Sequence, residues 1–386
     1  MIKMTCGDKP LYGVNKMNIK TKFALSTLVL AIAALALCTL GIRWYSSHFP
    51  RLASAFPSIV SAIAEYKSSS AYDNLVPTTN EPNGVYYRDN VLVLMYHDVS
   101  PNPENDKSLP LASFDKQLEL MKANNFHWIT MEQYRDFILH SAPVPDNAVL
   151  LTFDDGYESL YDQAYPSLKK YGAPASAFLI VKTVGDPSDP FPRVTWDQVR
   201  EMHQNGIDFF NHTYDSHRYA PTEASGGKPM SMIARRLYLK DKQRQETEEE
   251  YETRVTADLR KANEILEREI GIRNYAFAFP YGAFSDSLLN ISGKLGMDIT
   301  FTVKSGLNAP GQTNGFRLNA GGEDNNPDLQ IALMKQAETR LADHEFKQPQ
   351  TRQYAFLALS VLFVLTGIFW LWTGWRLIRS KKRVAA

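Results

Sequence analysis

Between residues 91 and 303 the chain repeats one pattern: a short apolar run, then a longer stretch with apolar residues at helical spacing. The runs are VLVLM (91–95), AVLLTF (148–153), ASAFLIV (175–181), IDFF (207–210), YAFAF (275–279) and ITFTV (299–303). Weaker ones are HWIT (127–130) and FRL (316–318). A strand with one wet face alternates apolar and polar residues, whereas a run that is apolar throughout needs cover on both faces. Helices supply that cover. SFDKQLELMKANN, with Ser113 as its predicted N-cap, TWDQVREMHQNG, ending on Gly206, and TADLRKANEILEREIG, ending on Gly271, all have helical form. Strand and helix alternating over about 260 residues predict an α/β fold, either a barrel or a doubly wound sheet. The charged stretch 221–252, containing RQETEEEYETR, reads as a solvated insertion between two such units.

Two segments lie outside that pattern. FALSTLVLAIAALALCTLGI (23–42) and YAFLALSVLFVLTGIFWLWTGW (354–375) carry no charge and are long enough to cross a bilayer as helices. Lys16, Lys20 and Lys22 precede the first; Trp370, Trp372 and Trp375 close the second, and RLIRSKKR follows it. Positive residues beside a span stay in the cytoplasm and tryptophan favours the interface. The expected order is then a cytoplasmic N-terminus (1–22), a transmembrane helix (23–42), a stalk rich in Ser, Ala, Pro and Asn (43–84), a catalytic domain (85–345), a second transmembrane helix (354–375) and a basic cytoplasmic tail (376–386). A cleaved signal peptide starting at Met17 is the alternative for the first span. With 42 basic and 42 acidic residues, the chain gives no reason to expect nucleic acid as a partner. Its two cysteines, Cys6 and Cys38, leave the main body without a disulfide or a thiolate metal site.

Parallel α/β folds place their sites at the carboxyl ends of the strands. The residues following the runs are Tyr96-His97-Asp98, then Asp154-Asp155, then NHTYDSH with His212 and His217, then Pro280-Tyr281-Gly282. Two adjacent Asp residues also suit the first turn of a helix, as caps. The histidine pair, five residues apart, points to opposite faces of a strand and diverges on a helix. The two share a ligand only if HTYDSH folds back as a loop; otherwise they are unrelated loop histidines. One Asp and two His make a three-ligand set for a divalent ion that keeps an open position.

TFDDG, then NHTYDSH, then FPYG, in that order, resemble the motifs of the polysaccharide deacetylases, the NodB-homology carbohydrate esterases. VLMYHDVS ahead of TFDD, with the five-residue histidine spacing, resembles more specifically the poly-β-1,6-N-acetylglucosamine N-deacetylases of the PgaB and IcaB type. The similarity covers residues 88–325 or so and implies a distorted (β/α) barrel. It implies Asp155, His212 and His217 as ligands of a divalent ion (zinc, nickel, cobalt or iron). It implies Asp154 as the base that takes a proton from the attacking water and His97 as the acid that protonates the leaving amine, from a circularly permuted position. Tyr281 matches the residue whose backbone N–H helps to hold the oxyanion. Many members carry an arginine two residues before the proline of PYG, where this chain has Ala278; Arg317, in GFRLNA, is the candidate to replace it. The PgaB branch has a C-terminal glycoside hydrolase domain where this chain runs into its second apolar span, so the arrangement is more similar to IcaB.

An amide is a poor electrophile with a poor leaving group, so a Lewis acid, a base and a proton donor are the chemistry it requires. The expected function is a metal-dependent N-deacetylase of a periplasmic or extracellular polysaccharide, with poly-β-1,6-N-acetylglucosamine of a biofilm matrix as first candidate. Peptidoglycan, a chitin-like polymer or another envelope glycan is the alternative substrate. An inactive glycan-binding or export scaffold is the alternative of another class. The expected location is a bacterial cell membrane, with both termini cytoplasmic and the catalytic domain outside. The expected partners are the N-acetylated polysaccharide, the membrane through two helices, and polysaccharide synthesis or export machinery.

Overall fold

The computed structural model describes residues 18–48, 71–72, 74–103, 108–226, 229–321, 324–341 and 350–384. Most of the expected stalk and N-terminus, residues 49–70 and 1–17, lies outside the described residues. The chain divides into two units, Glu65–Glu345 and the pair of flanking segments Met1–Ala64 and Phe346–Ala386.

Six strands in the larger unit follow the apolar runs: β1 (Val91–Tyr96), β2 (Ala148–Asp155), β3 (Ala175–Leu179), β4 (Ile207–Asn211), β5 (Ala276–Ala278) and β6 (Ile299–Phe301). They pair in parallel in that order. The ring is nearly closed by residues 314–320. Asn314–Gly315 pairs with β6 and Leu318–Asn319 pairs in parallel with β1. Ala320 N–H donates to the carbonyl of Met95 at 3.0 Å. The result is the expected (β/α) barrel.

Why the runs are apolar throughout is visible in β1. Val91 and Val93 join Leu150, Phe178, Phe210, Ala278, Ile299 and Phe301 in one cluster fed by all six strands, which is the barrel interior. Leu92, Leu94 and Tyr96 point the other way, into a cluster shared with the surrounding helices. Successive side chains alternate faces and both faces are dry.

The helices differ from expectation at their starts. Leu111–Ala123 begins directly after Pro110, so Ser113 lies inside the first turn and caps nothing; proline suits that boundary because it carries no N–H to lose. The last long helix runs from Glu248 to Ile270, eight residues earlier than TADLR suggests, because Thr247 and Glu250 form a reciprocal capping box. It thereby absorbs part of the 221–252 stretch. That stretch is not simply solvated: Ile233 and Ala234 are buried against Tyr251 and Val255, and buried Glu246 pairs with Arg254 at 2.7 Å.

The smaller unit contains helices Ile19–His48 and Gln350–Val384. Phe23 stacks on Trp370 at 5.4 Å, and Trp370 Nε1 donates to Thr27 Oγ1 at 2.8 Å. Among the described residues one helix, Leu359–Arg379, is long and apolar enough to cross a membrane. The expected first span falls on Ile19–His48 and, for side chains beyond residue 35, outside the described residues.

Candidate active site and metal centre

β2 is buried over its whole length and delivers Asp154 and Asp155 at its carboxyl end. The two carboxylates diverge because the backbone turns left-handed at Asp155 (φ 72°) and again at Gly156 (φ 74°). Asp tolerates that region better than most side chains, and glycine adopts it freely. Neither carboxylate caps a helix, because both face the barrel mouth and the next helical turn starts only at Leu160.

Asp154 meets Arg317. Its oxygens accept two parallel hydrogen bonds from Nη1 and Nη2, at 2.6 and 2.7 Å. Arg317 is wholly buried, 0% exposed, and its Nε donates to the Thr302 carbonyl at 3.0 Å. It sits on the segment that closes the barrel, so it reaches Asp154 across the interior rather than along a strand. Burial works to raise the Asp154 carboxyl; Arg317, followed by His212 and His97, outweighs it and holds the group below the ordinary carboxylate value. Half-buried His97 directly follows β1 and lies near enough to both carboxylates to be among the groups that lower them.

Asp155 meets the histidines. His212 Nε2 and His217 Nε2 each stand 3.3 Å from Asp155 Oδ1, and the three ligand atoms lie within 4.8 Å of one another. HTYDSH folds back as the shared-ligand reading requires. Thr213 adopts φ 81°, costly for a β-branched residue, and its N–H donates to Asn211 Oδ1 at 2.7 Å. The N–H groups of Tyr214 and Asp215 donate to the two oxygens of Asp258, both at 3.0 Å. Asn211 is fixed in turn by Asn263, at 2.6 Å, which also accepts from Asn274.

These three residues fit a divalent cation. His212 Nδ1 lies 2.8 Å from the Ala278 carbonyl, which can only accept, so the ring proton is there and the Nε2 lone pair faces Asp155. Asp155 Oδ1 is buried and accepts no hydrogen bond. Burial, then His212, pushes His217 down to about 4, which keeps it neutral as a ligand must be. His212 moves the other way in the metal-free site: burial lowers it, but Asp154 and Asp155 raise it by more, so a cation would have to displace a proton there. Converging lone pairs on a buried carboxylate oxygen are an arrangement that a cation satisfies.

Tyr281 occupies a short turn, Pro280–Gly282, with φ 58°. Its ring lies 4.6 Å from that of His217 and 4.2 Å from that of Tyr219, and its hydroxyl donates to the His217 carbonyl at 3.3 Å. Its left-handed backbone sets it apart from the helices of the domain.

The family model described as polysaccharide deacetylase matches residues 141–300. That match contains Asp154, Asp155, His212, His217 and Tyr281. Over those residues the chain is similar to the polysaccharide deacetylases. His97 and Arg317 lie outside the match, yet the barrel brings both to the same mouth. A poly-β-1,6-N-acetyl-D-glucosamine N-deacetylase of Escherichia coli (strain K12) is 28% identical over 230 residues, which is 56% of this chain and 34% of that protein. The chain thus spans about a third of the length of this curated relative. Among solved structures, the domain is similar to a de-N-acetylase from Aggregatibacter actinomycetemcomitans (26% identity, TM-score 0.55, covering 60% of this chain and 94% of that one). It is also similar to IcaB from Ammonifex degensii (27% identity, TM-score 0.55, covering 64% and 98%).

Sequence reasoning gave no role to several residues around the site. Arg193 Nη1 donates to the Asp155 carbonyl at 3.0 Å, and its guanidinium lies 4.4 Å over the Tyr157 ring. Asp98, next to His97, is held by the hydroxyls of Ser159, at 2.6 Å, and Ser108. Asp258 anchors the histidine loop from a helix. Asp98 follows the first apolar run but was given no role; Arg193 and Asp258 follow no such run, so strand-end reasoning had no signal for them.

Proposed function

We propose that the chain is a metal-dependent N-deacetylase of an N-acetylated polysaccharide, with poly-β-1,6-N-acetylglucosamine as its substrate. The convergence of Asp155, His212 and His217 on one point, beside a carboxylate that its own arginine already neutralises, carries this reading. The printed activity of the E. coli relative supports the choice of polymer.

A divalent ion (zinc, nickel, cobalt or iron) held by Asp155, His212 and His217 would polarise the acetyl carbonyl and make water more acidic. Asp154 takes the proton from the attacking water. Arg317 keeps Asp154 ionised and fixes the direction of its lone pairs. The Tyr281 N–H donates to the oxygen on which charge develops. His97 gives a proton to the departing amine, whose nitrogen would otherwise leave as an unstable anion. Products are acetate and the free amino sugar. The two helices anchor the domain to a membrane, with both termini on the cytoplasmic side.

Acetate release from β-1,6-linked N-acetylglucosamine oligomers by the full chain in detergent, before and after chelation and metal return, tests the reading. Release that stops on chelation and resumes with metal is expected. No release from these oligomers, with release from peptidoglycan or chitin fragments, reassigns the polymer. No release from any would leave a binding or export role.

A further inference from the structure

In the larger unit the exposed aromatic side chains among the described residues are Phe191, Tyr219 and Tyr281, at 55%, 55% and 41% exposure. Tyr219 and Tyr281 reach the Asp155, His212 and His217 triad through the His217 ring, and Phe191 through Arg193, which donates to the Asp155 carbonyl at 3.0 Å. Tyr281 lies against His217, and Tyr219 stacks nearly parallel on Tyr281, at 4.2 Å and 17°. On the flank of Asp155, Phe191 packs edge-on to Tyr157 at 6.1 Å, with Arg193 over Tyr157. Elsewhere on this unit the large exposed apolar residues are aliphatic and scattered. Single exposed aliphatic side chains need no explanation, but exposed aromatics gathered at one mouth do.

Their supports are built rather than loose. Tyr219 is held in a two-stranded ribbon, Tyr219–Ala220 against Met230–Ser231, and the Met232 N–H donates to the Arg218 carbonyl at 3.0 Å. The segment carrying Phe191 is strapped to the turn after Asp155. Glu158 N–H donates to the Pro192 carbonyl at 2.9 Å, and Val194 N–H to the Gly156 carbonyl at 3.1 Å. The Phe191 N–H donates to Asp189 Oδ1 at 2.9 Å. Both platforms are therefore tied to the triad's own backbone, one through His217 and one through Asp155.

The apolar face of a pyranose ring, with its axial C–H groups, covers an aromatic ring well. The charges beside these rings are paired with one another, Arg193 with Asp189 at 3.4 Å and Arg218 with Asp215 at 3.0 Å, which leaves the rings as the uncharged faces. We propose that Tyr219, with Tyr281 beneath it, and Phe191 are sugar-stacking subsites on two flanks of the triad. They hold the residues next to the N-acetyl sugar being cleaved. The site then takes an internal stretch of a neutral glycan rather than a single terminal sugar. This rests on the deacetylase reading above and adds to it where the neighbouring sugars lie.

The test uses the full chain in detergent with Zn2+ and N-acetylglucosamine oligomers from two to six units, with an activated acetyl ester as a substrate that lacks neighbouring sugars. For wild type, KM should fall with oligomer length. In Tyr219→Ala and Phe191→Ala, KM for the longest oligomer should rise about five- to tenfold, as loss of one aromatic platform implies. Bound zinc and ester hydrolysis should stay at wild-type levels, and Tyr219→Phe should restore the length dependence. Wild-type activity with unchanged length dependence in both alanine variants would overturn the subsites while leaving the deacetylase reading intact. A wild type inactive on every oligomer yet active on the ester would instead overturn the glycan reading itself.

Discussion

Asp154 and Asp155 are adjacent, buried and at the end of the same strand, but their surroundings differ in kind. Arg317 satisfies both oxygens of Asp154 from within the protein. Asp155 Oδ1 faces two imidazole nitrogens with no proton donor aimed at it. One carboxylate is electrically complete; the other is completed only by something added. A left-handed backbone at one residue is enough to send neighbours into these two roles. Cutting the solvation of a charge is tolerable in the first case because a bidentate partner replaces water, and in the second a cation would do so.

The comparison can be broken from the Asp155 side first. Asp155→Ala, His212→Ala and His217→Ala should each lose bound metal and turnover together, measured by elemental analysis beside acetate release. Stoichiometric metal in all three would remove the cation from the argument. From the Asp154 side, Arg317→Leu strands a buried carboxylate and should cost about 3–5 kcal/mol in a urea unfolding curve. Asp154→Leu combined with Arg317→Leu should recover most of that loss. A single variant as stable as wild type would mean that the pair is not self-contained.

Two substitutions sharpen the division of roles without emptying the centre. Asp154→Asn keeps the shape and leaves the triad alone, so metal stays while turnover falls about 10²–10⁴-fold. His97→Ala should also keep metal, and should slow amide cleavage far more than cleavage of an activated acetyl ester, whose leaving group needs no proton. Equal losses on both substrates would retire His97 as the acid. The smallest effect belongs to Arg193→Gln. It releases the Asp155 carbonyl and should weaken metal affinity about 10–100-fold, as loss of an outer partner does. Isothermal titration of the metal-free protein with zinc reads it directly.

What the sequence carries depends on how local the physics is. The strand runs were legible because both faces of β1 to β6 are dry, so composition alone marks them. Asp154 and Asp155 were legible because they end such a strand, and His212 and His217 because they lie in the loop that follows one. Ser113 misled because helix Leu111–Ala123 starts where a proline precedes it, not where the nearest capping side chain stands. The 221–252 stretch misled because its few buried residues, Ile233, Ala234 and Glu246, are outnumbered by charges. Arg193 and Asp258 act through backbone groups of the site, and such contacts leave no pattern along the chain.

Arg317 is separated from Asp154 by 163 residues. At about 5–20 residues per second, a growing chain exposes TFDD some ten to thirty seconds before the arginine that answers it is made. Throughout that interval the barrel lacks its closing segment and the base its counter-charge. Until the arginine is made, Asp154 has no partner to offset its burial, so this stretch of the interior is completed last.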